Sequence, residues 1–502
     1  MKLNAILNNL KYQTKNDISG VEIKKLSCDS RTVGAGDMFV AFRGYGQDGY
    51  KFIEEAIKKG AGVIAAESDF NAPQGVIKIL IKDTRTAFPV MADNFYGHPS
   101  EKLKVIGVTG TNGKTTITYI VENIIKAAGQ ESGVIGTINY RIKNNIIPAK
   151  NTTPGPIELQ SMLSQMVNLG IHYAVMEVSS HSLDQHRMDS VRLDAAIFTN
   201  ITPEHLDYHK TIESYLQAKG KIFERLKPDG CAILNKDDDR VASIKSPTKR
   251  KPVTYSTVKD ADVWARDIKL SIDDSRFTVM TPDGSYQINA KLIGIHNVSN
   301  MLAAIAAAYA LKIDPAAVKK GVETVACVPG RLESVDAGQP FKVLVDYAHT
   351  EDAMRNVLNL LKAVAGKKIL TVFGCGGDRD TGKRPLMGRA ACEFSDHVII
   401  TSDNPRSEDP LKIILDIEKG IRGKFSNYDI VPDRYKAIEK ALRLASIDDI
   451  VVIAGKGHEN YQVIADKVLA FDDRQVAREI LSKGNYAGKR DSKGGARHSF
   501  SG

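Results

Sequence analysis

The stretch KVIGVTGTNGKTTITYIVENIIKAAG, Lys104 to Gly129, constrains the fold more than any other part of the chain. Its opening apolar run has the pattern of a strand buried on both faces. Glycines and small polar residues follow. Apolar residues then recur at helical spacing at Ile117, Ile120, Val121, Ile124 and Ile125. Strand, glycine-rich turn and helix in that order make half of a βαβ unit, which needs a parallel sheet covered by helices. The turn also carries chemistry. Glycines let backbone N–H groups face anionic oxygens, and a helix N-terminus favours negative charge. Lys114 stands where it meets terminal phosphates, and Thr115 or Thr116 where a hydroxyl holds Mg²⁺. A strict Walker sequence has Gly at position 108. Here that residue is Val108, and the glycine comes at Gly110.

The same alternation continues on both sides. Strands are expected at Met38–Phe42, Gly62–Ala66 and Val76–Ile81, and again at Tyr173–Val178, Ala195–Asn200 and Cys231–Asn235. An Ala-rich helix is expected over Val298–Leu311. The last third reads FKVLVDYA, KKILTVFG, DHVIITSD and DIVVIAGKG, with helices such as DAMRNVLNLLKAVA between. This is a doubly wound pattern. A chain of 502 residues suits about three domains. The expected division is 1–100, 101–328 and 329–485, with a basic tail over 486–502. HPSEKLK, His98 to Lys104, reads as the first linker. In the third segment polar residues gather just after strand ends: Asp346, Gly374–Arg379, Asp403–Arg406 and Gly455–Glu459. Open parallel sheets bind ligands outside the carboxyl ends of their strands, so these clusters predict one shared site.

Charge narrows the partners. The net charge is +9. Five Lys/Arg against one Asp fall from Lys483 onward, in a Gly/Ser-rich tail without the apolar residues to bury a core. No long basic stripe interleaves aromatic residues, so no nucleic-acid partner is expected. Met301–Leu311, the most apolar helical run, is too short to span a bilayer, and no membrane partner is expected. Cys28, Cys231, Cys327, Cys375 and Cys392 stand at no metal-ligand or CxxC spacing, which suits a reducing cytoplasm. A monomer is expected.

Two further motifs follow strands near the phosphate loop. In MEVSSH, Glu177 offers a carboxylate suited to Mg²⁺, a hard, oxygen-seeking cation. In TNITPEHLDYH, His205 follows the strand at Ala195–Asn200. GTNGKTT, MEVSSH and the latter segment together resemble the Mur ligases and, for the loop, the related folylpolyglutamate synthetases. The resemblance extends over about residues 20–485. It implies three domains: a small α/β UDP-binding domain, a central P-loop-type parallel-sheet ATPase domain and a C-terminal Rossmann-like doubly wound domain. It implies ATP as co-substrate and Mg²⁺ as cofactor. The ATP contacts it implies are Gly110, Thr111, Asn112, Gly113, Lys114, Thr115, Thr116, Asn297, Asn300, Arg331, Asp346 and His349. The metal residues are Thr115, Glu177, His205 and Lys219, the last as a carbamate, with Lys114, Lys219 and His205 catalytic. The family commonly has Asp where Glu204 stands, and Pro where Glu351 stands.

The resemblance also implies the reaction and its substrates. DSRTVGAGDMFVAFRGYGQDGYKFIEEAIKKGA resembles a UDP-binding domain. Ser30, Tyr45, Gly46, Gln47, Asn151, Thr152, Thr153, Ser179, Gln185 and Arg187 would then contact a UDP-muramoyl dipeptide. DNPR, Asp403 to Arg406, resembles the form found in family members that add diaminopimelate; lysine-adding relatives lack that arginine. The implied amine pocket holds Arg379, Asp403, Asn404, Pro405, Arg406, Gly455 and Glu459. Diaminopimelate has a second carboxylate where lysine has only hydrogen, and a guanidinium fork pairs with a carboxylate. The expected activity is therefore ATP-driven amide-bond formation through an acyl phosphate, with domain closure bringing amine to acyl group. A lysine-adding ligase is the nearest alternative. A P-loop switch or nucleotide-binding module would need the loop but not the other motifs.

Overall fold

The computed structural model describes residues 1–42, 48–244, 249–258, 260–364 and 367–484. The chain divides into two compact units. The first holds Met1–Ala265, Val279–Tyr286 and Ser299–Val322; the second holds Arg266–Thr278, Gln287–Val298 and the chain from Glu323 onward.

Within the first unit, a small parallel sheet runs in the order Leu26–Ser27, Met38–Val40, Val63–Ala66, Ile77–Leu80. These are the three strands expected from sequence and one more, and Ile79, Met38 and Val63 bury against the helix Thr84–Tyr96. Eight neighbouring strands of the larger sheet run in the order Val253–Ser256, Leu226–Asn235, Leu193–Phe198, Lys104–Thr109, Tyr173–Glu177, Ser132–Ile135, then Asn139–Ile142 and Asn145–Pro148. It is parallel as far as Ser132–Ile135, and the last two strands are antiparallel. Lys104–Thr109 sits in the interior, with every residue from Val105 to Thr109 buried. Its register pairs Val108 with Glu177 and Thr109 with Phe198. The turn after Thr109 therefore opens beside the carboxyl ends of two neighbouring strands.

The second unit is a sheet in the order Glu333–Ser334, Lys342–Asp346, Ile450–Ala454, Ile369–Phe373, His397–Ile400, Tyr428–Ile430. All but the first pairing are parallel. Alternation of period two splits its side chains between two cores. Val343, Val345, Val451 and Ile453 pack with Ile438, Leu442 and Leu481 on one face. Leu344, Val452, Ala454 and Ile400 pack with Leu358, Leu361 and Met387 on the other. Apolar cover on both faces is what the doubly wound pattern requires. A separate hairpin, Tyr461–Ile464 with Lys467–Ala470, follows the strand Ile450–Ala454.

HPSEKLK, read as a linker, is packed rather than loose: Pro99 and Ser100 are buried in a 3₁₀ turn, Leu103 is buried too, and Ser100 Oγ accepts the Arg192 N–H at 3.1 Å. One expectation needs correction. The Ala-rich helix starts at Ile295, not Val298, so Asn297 lies inside it, as Asn300 does, rather than ahead of it. The cause is Gly294, whose φ of +98° ends the preceding extended segment and lets the helix begin at once.

Candidate active site

In the first unit, the chain leaves Thr109 through Gly110 at φ +141° and enters the helix Lys114–Ala127 through Gly113 at φ +90°. Neither position has room for a side chain. A Cβ on Gly110 would lie 1.8 Å from Thr199 Oγ1, and one on Gly113 would lie 2.3 Å from Asn300 Oδ1. Asn112 N–H donates to Asn200 Oδ1 at 2.9 Å, and Thr111 N–H donates to Asn200 O at 2.9 Å. The loop is thus pinned by the end of the neighbouring strand, with Thr115 and Thr116 buried at the head of the helix.

Two lysines meet at this loop. Lys114 Nζ donates to Gly110 O and Thr111 O, each at 2.8 Å. Lys219, on the helix Ile212–Gly220, is only 2% exposed, and its Nζ donates to the same Gly110 O at 2.8 Å. Lys219 therefore faces inward, onto the loop. Burial, and then the charge of Lys114, hold its ammonium well below the usual lysine range. Its Nζ lies 4.5 Å from the ring centre of Tyr215, whose hydroxyl donates to Glu204 Oε2 at 3.3 Å. His205, with φ +55°, has Nε2 at 3.8 Å from Glu204 Oε1. Burial pushes its imidazole down to about 4, so it is neutral and keeps a ring lone pair near pH 7.

Glu177 is 1% exposed at the end of its strand. Its carboxylate accepts from Thr115 Oγ1 at 3.0 Å, from Thr137 N–H at 2.8 Å and from Thr137 Oγ1 at 3.0 Å. Thr115 and Glu177 are both hard oxygen donors. Two protein oxygens fit Mg²⁺, which keeps several waters and takes further oxygens from substrate phosphates. Among the described residues no group of three or more His, Cys, Asp or Glu is arranged around one metal position.

The residues expected at the muramoyl dipeptide lie just beyond. Thr153 Oγ1 donates to Glu177 O at 2.9 Å and accepts Ser179 N–H at 3.1 Å. Thr152 and Thr137 share a hydroxyl contact of 3.1 Å. Arg187 donates to Thr153 O at 3.2 Å and to Gln185 Oε1 at 2.7 Å. Tyr140 donates to Asn151 O at 2.7 Å. So Thr152, Thr153, Ser179, Gln185 and Arg187 form one network with Glu177, whereas Asn151 is held separately by Tyr140. Ser30 lies elsewhere, in the small sheet's region, where its hydroxyl donates to Glu55 Oε2 at 2.7 Å. Tyr45, Gly46 and Gln47 lie outside the described residues.

In the second unit, Asp346 ends its strand and is buried. It accepts Leu332 N–H at 2.7 Å and Ala348 N–H at 2.8 Å, and burial pushes its carboxyl up. Arg331 stacks over Tyr347 at 4.8 Å, and His349 Nδ1 lies 2.9 Å from Tyr347 O. Asn297 Nδ2 donates to Ile293 O at 2.8 Å.

Asp403, Asn404 and Pro405 are buried, Arg406 is half-buried, and Arg379 is exposed. Asn404 Nδ2 donates to Glu459 Oε2 at 2.7 Å, and burial raises the Glu459 carboxyl. Arg406 Nη1 donates to Gly377 O at 2.6 Å. Asp403 Oδ2 is buried and accepts no hydrogen bond among the described residues, with Arg434 Nη1 at 3.8 Å. A buried acceptor without a donor is costly, so this oxygen fits a ligand N–H. A Cβ on Gly455 would lie 2.9 Å from it, and glycine keeps that approach open.

Three family models cover most of the chain. A Mur ligase family catalytic domain matches residues 22–96, a Mur ligase middle domain residues 108–308, and a Mur ligase glutamate ligase domain residues 330–457. The chain belongs to the Mur ligase family. Relatives named UDP-N-acetylmuramoyl-L-alanyl-D-glutamate–2,6-diaminopimelate ligase are 43% identical to this Mur ligase. One, from Caldanaerobacter subterraneus subsp. tengcongensis, aligns over 484 residues, 96% of this chain and 99% of that protein. Another, from Geobacillus thermodenitrificans, aligns over 489 residues, 96% and 100%. A solved structure with the same name superposes with a TM-score of 0.67 at 35% identity, over 92% of this chain and 95% of that one. The MurF ligase of Thermotoga maritima in complex with ADP shares the fold at 19% identity, with a TM-score of 0.61, over 94% and 99%.

Several residues of this Mur ligase escaped the sequence reading. Thr137 gives Glu177 two of its donors. Tyr215 underlies Lys219. Lys456, inside GKGHE, is fully buried, with Nζ 3.3 Å from Asn404 Oδ1 and 3.4 Å from Glu459 Oε2. Only Lys456 carried a signal: a lysine between two glycines directly after a strand. The others depend on pairings between distant segments.

Proposed function

We propose that this Mur ligase joins meso-2,6-diaminopimelate to the glutamate carboxylate of UDP-N-acetylmuramoyl-L-alanyl-D-glutamate, using ATP, in peptidoglycan precursor synthesis. The observation that carries the reading is 43% identity to ligases of that name over 96% of the chain. The sites support it. A carboxylate and an amine do not condense unaided in water. The substrate carboxylate attacks the γ-phosphorus of ATP, the bond to the β-phosphate oxygen breaks, and ADP leaves an acyl phosphate. The amine then attacks the acyl carbon, phosphate departs, and the amine loses its proton. When bound, Mg²⁺ supplies charge neutralisation between the two anions of the first step.

The chain's own groups do the rest. Gly110, Thr111, Asn112 and Gly113 shape the loop, and Lys114 moves its ammonium from Gly110 O and Thr111 O to the phosphates. Thr115, Glu177, His205 and Lys219 as a carbamate are the proposed metal residues. Asn297, Asn300, Arg331, Asp346 and His349 are the proposed further ATP contacts. Arg187 takes a carboxylate of the dipeptide, with Ser30, Tyr45, Gly46 and Gln47 on the UDP side. Asp403 Oδ2 and Glu459 receive the ammonium groups of diaminopimelate, and Arg406, helped by Arg379, takes its second carboxylate. We assign these roles to domains at 1–100, 101–328 and 329–485 of a monomer. All three substrates are soluble and anionic or zwitterionic, and the cytoplasm, where ATP is made, is the proposed location. No described helix is long and apolar enough to cross a membrane.

Phosphate release and tripeptide formation test this directly. Release should need the UDP-muramoyl dipeptide and diaminopimelate together, and lysine should substitute at least about 100-fold less well, because Arg406 would be left without its partner. Release indifferent to both acceptors rejects a ligase; equal use of lysine rejects the amine assignment.

A further inference from the structure

The hairpin Tyr461–Ile464 with Lys467–Ala470 forms a two-stranded sheet of its own. Such a pair is marginal in water without support. Its support is the DNPR loop. Gln462 Nε2 donates to Asp403 O at 2.6 Å, and Val463 N–H donates to Asn404 Oδ1 at 2.9 Å. Arg406 N–H donates to Val463 O at 3.0 Å, and Ala465 N–H donates to Arg406 O at 2.7 Å. Arg406 itself has φ +52°, a left-handed conformation that a non-glycine residue keeps only when its surroundings impose it. The two main-chain bonds on either side of Arg406 impose it.

Loop and hairpin therefore hold each other. Of the four bonds, only that from Gln462 starts at a hairpin side chain. Gln462 is buried at 8% exposure, and its amide is spent on a main-chain oxygen rather than turned toward a ligand. It fixes the loop at Asp403, three residues before Arg406. The guanidinium direction is then set by the loop at one end and by Gly377 O at the other.

We propose that Gln462 is a positioning residue for amine specificity, holding the DNPR loop so that Arg406 meets the distal carboxylate of an amino acid carrying two carboxylates. This rests on the reading of the amine substrate above. The experiment first measures tripeptide formation by the parent protein with diaminopimelate and with lysine. A parent that makes no diaminopimelate tripeptide rejects the substrate assignment, whatever Gln462 does. With an active parent, Gln462→Met removes the donor at nearly constant volume. KM for diaminopimelate should rise about tenfold and preference over lysine should fall by a similar factor, with KM for ATP and for the dipeptide unchanged. In an Arg406→Ala background the same substitution should raise KM for diaminopimelate by clearly less than tenfold, because the guanidinium being aimed is gone and only Asp403 remains to be displaced. Should Gln462→Met not fold, Gln462→Asn, whose amide ends one methylene short of Asp403 O, should shift KM in the same direction. An unchanged KM for diaminopimelate overturns the proposal. So does a tenfold rise in both backgrounds, or equal rises for all three substrates.

Discussion

Glu177 shows how much a single buried carboxylate here depends on its donors. Thr115 supplies one hydroxyl, and Thr137 supplies both a hydroxyl and an N–H. Gly136 lets the carboxylate lie close: a Cβ there would be 2.6 Å from Glu177 Oε1. Thr137→Val keeps the shape and the N–H but loses the hydroxyl. It should cost about 1–3 kcal/mol in urea unfolding, because a buried carboxylate oxygen loses a donor. It should also raise the Mg²⁺ concentration that half-saturates nucleotide binding by calorimetry. Thr137→Ser should restore both. Equal stability of Val and Ser variants would show that the hydroxyl does not hold Glu177. Glu177 was readable in the sequence because it ends an apolar strand near the phosphate loop. Thr137 was not, because its partner lies forty residues further on and only the pairing of Ser132–Ile135 with Tyr173–Glu177 joins them. Lys219 is intermediate: only the resemblance singled it out, and its burial depends on a contact with Gly110, over a hundred residues away in the chain.

At the scale of elements, the phosphate loop is a packing problem as well as a binding one. Gly110 faces Thr199 Oγ1, which is itself held by donating to Asn112 O at 2.6 Å and so has little freedom to withdraw. Gly110→Ala should therefore cost about 2–4 kcal/mol, from the +141° φ and the clash together. Gly129, at the end of the same helix, is a control. Its φ is +72° but a Cβ there meets nothing within 4 Å, so Gly129→Ala should cost only about 1 kcal/mol. Thermal melts of the two variants should separate clearly, and the Gly110 variant should also lose ATP binding. Equal melts would show that the loop adjusts. Element types came through well from sequence, since continuous apolar runs and 3.6-residue spacing are local signals. Boundaries failed where tertiary contact decided them. HPSEKLK is polar by composition, yet Pro99, Ser100 and Leu103 are buried. The helix at Ile295 starts early because of one glycine's conformation.

Over the whole molecule, both units place their chemistry at the carboxyl ends of parallel strands, and that much follows from strand order and from polar clusters after apolar runs. What sequence could not carry is the electrostatic state of the buried groups, which depends on enclosure. His296 and His458 are both held neutral by burial, with Arg331 adding repulsion. Their imidazoles are pushed down to about 4 and about 3. An unfolded histidine titrates near 6.5. Between pH 6.5 and those lower values the unfolded chain binds protons that the folded chain refuses, so stability must rise with pH and fall on acidification. Each histidine can contribute a loss of at most about 2 kcal/mol at pH 5 relative to pH 8. Asp93, Asp346 and Glu459 work in the opposite sense, because burial raises their carboxyls and the folded state takes up their protons first. They therefore offset part of what the histidines contribute. The histidines' share of the urea midpoint should therefore drop between pH 7 and pH 5.5. His296→Gln, which cannot titrate, should flatten that drop. A variant whose midpoint falls as steeply as the parent's would mean that His296 accepts its proton in the folded protein, and that its enclosure opens at acid pH.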